Sequence, residues 1–207
     1  MTMGFDDAAR ALVEIGRRFD ARGWAPATSG NYSVRLGDGS FAVTRSGRHK
    51  GRLQPEDILR VGADGIVIGT GRSSAETALH LSLYGLFPGA DAVLHGHSAR
   101  TVGFSRAVTA SEWRFTGHEM LKAFPGIGTH DAEVRLPIVD NSQDMGVIDA
   151  AVAPSLGAAD VAPAYLIRGH GLYAWGADLD EAERVMEATE WLIECELAEA
   201  AFRKGLA

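Results

Sequence analysis

Apolar residues recur at helical spacing over residues 7–22, which puts Ala8, Leu12, Val13, Ile15, Gly16 and Phe19 on one face, with Gly23 behind them as a stop. That period predicts an amphipathic helix. The period then changes. "NYSVRL" and "SFAVTR" flank "GDG" and predict a β-hairpin, and "DILRVGADGIVIG" predicts a second around "GADG". "ETALHLSLYGLF" predicts a helix, "DAVLHGH" a buried strand, and "SARTVGFSRA" and "GHEMLKAF" two more helices. "AEVRLPIVD" reads as a strand, "SQDMGVIDAAVAPSL" as a helix, and "AYLIRGHGLYAWG" as two strands broken at Gly169 and Gly171. The stretch "LDEAERVMEATEWLIECELAEAAFRK" predicts a long closing helix with Val185, Trp191, Leu192, Cys195, Ala198 and Phe202 as its apolar stripe. Early hairpins with helices interspersed throughout imply a largely antiparallel sheet with helices packed on its faces.

Length and charge narrow the function classes. A chain of 207 residues has room for one domain, 1–207, with a sizeable core, and no repeat or linker divides it. The formal net charge is -7 with no Lys/Arg cluster, which disfavours a nucleic-acid partner. Apolar runs stay well short of the ~18 residues a membrane span needs, and the acidic-start N-terminal helix is unlike a signal peptide. Cys195 is the sole cysteine, so no intrachain disulfide forms and a reducing cytoplasm fits. Any metal site must therefore be built from His and carboxylate.

The stretch "AVLHGHSA", residues 92–99, supplies the first such candidates. Strand residues i and i+2 point to the same side, so His95 and His97 can aim both rings at one point, as metal ligands do. The alternative is one imidazole capping the strand and the other solvated. His170, in "RGHGLY", sits between glycines that permit close backbone approach and unusual φ. Three His nitrogens with one open position is the usual layout of a catalytic zinc site. A turn histidine bonded to backbone is the plainer reading of His170 alone.

Further segments resemble backbone cradles. "TSGNYS" supplies Thr28, Ser29, Gly30 and Asn31, "TRSGRHKG" supplies Ser46, Gly47 and Lys50, and "GRSSAET" supplies Ser73 and Ser74 at a helix start. Hydroxyls, glycine N–H groups and a helix N-terminus suit a phosphate monoester. Each segment also reads as a turn, and Ser73 with Glu76, like Thr116 with Glu119, has capping-box spacing. Glu76 and Glu119 are the candidate proton carriers. His80, on an apolar helix, reads as a satisfied core or interface residue, His49 and His118 as exposed or loop residues, and His130 as a turn residue or a support behind a metal ligand; the last three are the substitutes should the ligand set differ.

The order of "SGN", "TRSG", "SSAE", "HGH" and "RGHG" resembles the class II aldolase family, the zinc-dependent fuculose-phosphate and ribulose-phosphate group, over nearly the whole chain. Within it, "SAET", "HGHS", "HEMLKAFPGIGTH" and "PIVDNSQD" are most similar to the methylthioribulose-1-phosphate dehydratase branch. The resemblance implies a three-layer α/β/α sandwich around a mostly antiparallel sheet, assembled as a homotetramer with active sites near subunit contacts. It implies one Zn²⁺ per subunit on His95, His97 and His170, and a substrate phosphate on Asn31, Ser46, Gly47 and Ser74, with Lys50 as helper. Ala75 stands where the aldolases carry a second serine, so it offers only backbone. Glu76 falls on the aldolase catalytic acid, and Glu119 on the carboxylate assigned as acid/base in the dehydratases. By position, Trp113, Phe115 and Met120 are candidates for the thioether surface, with core packing as the alternative. The implied activity is that of a hydro-lyase of methionine salvage, which dehydrates 5-methylthioribulose 1-phosphate to 2,3-diketo-5-methylthiopentyl 1-phosphate. A sugar-phosphate aldolase and a pentose-phosphate 4-epimerase are the alternatives. A non-enzymatic binding domain has no need of three histidines and a carboxylate.

Overall fold

The computed structural model describes residues 3–206. Helix α1 (Phe5–Ala21) buries Leu12, Ile15 and Phe19, with Asp6 and Asp7 in its first turn, where negative charge complements the helix dipole. Strands β1 (Asn31–Arg35) and β2 (Phe41–Thr44) form the first hairpin, with Ser33 opposite Val43. Strands β3 (Ile58–Val61) and β4 (Val67–Ile68) form the second. There follow α2 (Thr77–Leu86), β5 (Ala92–Gly96), α3 (Ala99–Ala107), β6 (Glu112–Phe115), β7 (Val134–Val139) and α4 (Met145–Val152). Strands β8 (Ala164–Ile167) and β9 (Gly171–Gly176) precede the long α5 (Leu179–Leu206).

The strands form one nine-stranded sheet in the order β4-β3-β2-β1-β5-β9-β8-β7-β6. Neighbours are antiparallel except β7 and β8, which run parallel. Side chains alternate between two separate cores. Leu94, Leu172 and Ala174 pack with α1, α3 and α5 residues such as Phe19, Phe104 and Leu192. Val93, Tyr173 and Trp175 pack on the other face with Leu79, Leu83 and Ile148 from α2 and α4. Central β5 is therefore buried along its whole length, and the architecture is an α/β/α sandwich.

Two local expectations are corrected, and one strand is added that the sequence pattern does not predict. "GHEMLKAF" forms a short 3-10 turn, Glu119–Ala123, in place of a helix. Gly117, at φ +74, and the extended His118 interrupt the backbone before a full α-turn can start. Strand β6 gives almost no alternation, because only Phe115 of its four residues is buried. On α5, Val185 and Leu192 are core, but Trp191 and Phe202 are 44% and 71% exposed. From Glu194 to Gly205 no residue of that helix is buried.

Candidate active site

One end of the sheet gathers the start of β1, the turns after β2, the segment before α2, the end of β5 and the β8–β9 turn. Together they line a cavity of about 320 Å³. His95, the fourth residue of β5, is fully buried and stacks on Tyr173 with ring centroids 3.9 Å apart. His97 follows two residues later on the same side, as the alternation requires. The Nε2 atoms of His95 and His97 lie 2.8 Å apart, and those of His95 and His170 lie 3.4 Å apart. Glu76 completes the group, with its Oε1 2.8 Å from His170 Nε2 and its Oε2 3.6 Å from His95 Nε2. Donor atoms of Glu76, His95, His97 and His170 all lie within 4.8 Å of one another.

The β8–β9 turn that delivers His170 depends on its glycines. Gly169 has φ +68, and at Gly171 a Cβ would sit 2.3 Å from the Gly96 carbonyl oxygen. Only glycine lets β9 approach β5 closely enough for the imidazoles to meet.

The chemistry of this donor set fits a divalent cation. His95 Nδ1–H donates to the Leu172 carbonyl at 3.0 Å, so a neutral His95 turns a bare Nε2 lone pair toward the other donors. Burial lowers the pKa of His95 well below the usual range and that of His97 to about 4, with the neighbouring imidazoles adding to both shifts. Neutral imidazoles are the ligand form. Burial acts to raise the Glu76 carboxyl, but hydrogen bonds from His170 and Asn31 and the electrostatic pull of the His95 and His170 rings outweigh it and hold Glu76 below the usual carboxylate range. Two donors each 2.0–2.1 Å from a tetrahedral ion sit about 3.3 Å apart, close to the separations seen here.

Beside the histidines lie the segments that the sequence offers as an anion cradle. Thr28, Ser29, Gly30, Asn31, Ser46, Gly47 and Ser74 line the same cavity. Lys50 lines it too; its side chain is 1% exposed, and its Nζ donates to the carbonyls of Thr28 at 3.0 Å and Arg48 at 2.8 Å. Burial pushes the Lys50 ammonium down to about 8, against the pull of Glu76. Ser74 Oγ accepts from the Glu76 N–H at 3.2 Å, and neither capping box considered for Glu76 or Glu119 forms. Glu76 instead turns its carboxylate into the histidine cluster. The Asn31 side chain is committed: its Nδ2 donates to Glu76 and its Oδ1 accepts from His80.

Other candidates lie elsewhere. Glu119 is 72% exposed, pairs with Lys122 Nζ at 2.5 Å, and does not line the cavity. His49, His118 and His130 are outside the cluster; His118 pairs with Glu196 and His130 with Asp131. Phe115 is core, Trp113 packs edge-on against Phe104, and Met120 borders a different cavity, beside Trp24 and Trp191. Arg45, Ser142, Gln143 and Met145 line the site and were not singled out as site residues from the sequence. The last three lie in or beside "PIVDNSQD", a segment that enters the sequence reading only through the family resemblance.

A family model described as class II aldolase and adducin N-terminal domain matches residues 10–197. The methylthioribulose-1-phosphate dehydratase of Acidiphilium cryptum (strain JF-5) is 49% identical over 189 residues, which cover 91% of this chain and 89% of that protein. The enzyme of the same name from Pseudomonas syringae pv. syringae (strain B728a) is 45% identical, with 94% and 96% covered. Among solved structures, the L-fuculose-1-phosphate aldolase of Thermus thermophilus superposes with a TM-score of 0.78 at 28% identity, with 97% of this chain and 99% of that one covered.

Proposed function

The chain belongs to the class II aldolase and adducin N-terminal domain family, and on that footing we propose that it is a hydro-lyase that dehydrates 5-methylthioribulose 1-phosphate to 2,3-diketo-5-methylthiopentyl 1-phosphate in methionine salvage. One observation carries the reading: dehydratases of that name match more than nine-tenths of this chain at 45–49% identity. The cavity has the parts the reaction needs, a carboxylate and three imidazoles beside a lysine-backed anion cradle.

The cation is Zn²⁺, one per subunit, held by His95, His97 and His170. When bound it supplies Lewis acidity, which lowers the cost of negative charge on the substrate C2 oxygen. The substrate phosphate is held by Ser46, Gly47 and Ser74, by the backbone at Asn31, and by Lys50, whose buried ammonium gains a counter-charge. Holding C1 in this way orients the rest of the sugar relative to the imidazole cluster and Glu76. A base removes the C3 proton and an acid protonates the departing C4 hydroxyl; the enol product then tautomerises to the diketone. Glu76 borders the metal donors and is one proton carrier. Glu119 is the other. Since it does not line the cavity of its own chain, it serves the site of a neighbouring copy, which accords with a homotetramer with sites at subunit contacts. The substrate class and the sole, unbridged cysteine accord with a cytoplasmic enzyme of one domain, and among the described residues no helix is long and apolar enough to cross a membrane.

The test is a product assay on zinc-loaded protein, given methylthioribulose 1-phosphate and, separately, fuculose 1-phosphate and ribulose 5-phosphate. Mass spectrometry is expected to find loss of one water from the methylthio sugar, abolished by His97→Ala. Cleavage or epimerisation of the other sugars with the methylthio substrate untouched moves the activity to the aldolase or epimerase branch. For Glu119, mixing Glu119→Gln with His97→Ala protein is expected to restore part of the turnover, because a mixed assembly pairs an intact metal site with an intact partner carboxylate. Glu119→Gln with wild-type turnover refutes that role.

A further inference from the structure

Behind Glu76, away from the cavity, a line of buried polar groups runs through the α2 face of the sheet. Asn31 is 5%, His80 1% and Ser33 0% exposed, and Tyr84 is 3% exposed. Asn31 Nδ2 donates to Glu76 Oε2. His80 Nε2 is 2.5 Å from Asn31 Oδ1, Ser33 Oγ is 2.7 Å from His80 Nδ1, and Tyr84 Oη is 2.8 Å from Ser33 Oγ. The direction of every bond follows from the first. An ionised carboxylate only accepts, so the Asn31 amide must turn its N–H toward Glu76 and its oxygen toward His80. That oxygen only accepts, so His80 carries its proton on Nε2. The bare Nδ1 then takes the Ser33 hydroxyl proton, and Ser33 takes that of Tyr84. Burial keeps His80 neutral, with its pKa lowered to about 4, and Tyr84 protonated, so the line has one consistent arrangement.

We propose that His80 is a positioning residue for the metal-centre carboxylate: it locks the Asn31 amide in one orientation and thereby fixes the direction in which Glu76 faces the three imidazoles. An asparagine beside a carboxylate and an unfixed second partner can turn its oxygen toward the carboxylate; a donor held behind it removes that choice. The imidazole is itself held, with its Nδ1 on Ser33 and its ring edge-on to Tyr173, centroids 5.6 Å apart. Tyr173 in turn stacks on His95, so one buried group braces both the carboxylate and a metal-donor imidazole. The inference rests on the reading of Glu76 as a working member of the site, and it holds whichever sugar phosphate is the substrate.

The first measurement is the His80 tautomer in zinc-loaded wild-type protein, by long-range proton–nitrogen correlation on histidine-labelled material. Nε2 protonated and Nδ1 bare is the expected result; the opposite tautomer overturns the proposal. The second is kinetic. Loss of a group that orients a metal-site residue costs about 10–100-fold in activity or affinity. His80→Leu is expected to lower kcat by that order on methylthioribulose 1-phosphate, with KM and bound zinc little changed. His80→Gln, which keeps an N–H where Nε2 stood, is expected to recover most of it. Equal losses in the two variants, or full kcat in His80→Leu, overturn the proposal. Should His80→Leu not fold, the tautomer and His80→Gln decide. Absence of turnover in the wild type counts against the dehydratase reading and leaves the tautomer result to decide this one.

Discussion

Replacing Lys50 with methionine separates what the residue costs the fold from what it does for the ligand. Burial lowers this ammonium from 10.5 to about 8. A shift of that size means the charged form is disfavoured in the folded protein by about 3 kcal/mol at neutral pH, where it is nonetheless protonated. Lys50→Met removes that cost and keeps most of the volume. It also loses the hydrogen bonds to the Thr28 and Arg48 carbonyls, about 1 kcal/mol each. The variant is therefore expected to be more stable than wild type by about 1 kcal/mol near pH 7. The difference changes sign with pH. Between pH 8 and 10.5 the unfolded chain keeps the Lys50 proton while the folded one sheds it, so wild-type stability rises by up to about 1.4 kcal/mol per unit. The variant lacks this rise, and the two curves are expected to cross about one unit above the folded-state pKa. Urea unfolding of both proteins on either side of the crossing measures it. Added phosphate should stabilise wild type, as any ligand of the folded state does, and the variant much less. A variant less stable by the same amount at both pH values, with its phosphate response intact, refutes both the buried charge and its role in the cradle.

Glu190 shows the opposite linkage. Its carboxyl, 4% exposed, is pushed up to about 7 by burial, against a hydrogen bond from Ser98 Oγ at 2.7 Å, and its Oε1 has no partner. With the folded pKa above the unfolded 4.5, stability present at low pH is lost as pH rises from there through 7. Glu190→Gln is accordingly expected to gain about 2–3 kcal/mol over wild type in urea unfolding above pH 7 and almost nothing at pH 4. Gly171→Ala places a Cβ 2.3 Å from the Gly96 carbonyl oxygen and 2.9 Å from His95 Cε1. About 1–3 kcal/mol of destabilisation and reduced zinc content are expected, read by thermal melts and elemental analysis; an unchanged metal content argues against tight β5–β9 approach as the basis of the site. His97→Ala is expected to lose bound zinc while keeping its far-UV circular dichroism, and full retention of the metal rules His97 out as a ligand.

The elements were largely legible because each rests on local pattern. The helical period over residues 7–22 became α1 (Phe5–Ala21), and "GDG" and "GADG" became the turns of two hairpins. The alternation of period two in "AVLHGH" also carried chemistry: with Val93 in the core, His95 and His97 had to share a side. The glycines around His170 announced a tight turn, and their missing Cβ atoms are what the close β9–β5 approach requires. Strand β6 and the 3-10 turn at Glu119–Ala123 escaped because their conformation follows from what they pair with or turn around, with little hydrophobic period of their own.

Which polar residues meet is decided by distance in space, which spacing along the chain does not encode. Glu76 and Glu119 are each followed by a short apolar run, and both fitted a capping box; the sheet order carries one into the imidazoles and leaves the other on an exposed turn beside Lys122. Asn31 looked like one more phosphate donor, but strand pairing of β1 with β5 sets it directly opposite His95, where its amide meets Glu76. His80, which the sequence offers as a satisfied core or interface residue, is buried, and what satisfies it is the Asn31 amide that holds Glu76. A local pattern dictates which side of its own element a residue faces. Which other element stands on that side is a property of the closed sheet, where residues far apart in sequence share one low-dielectric volume and determine each other's charge.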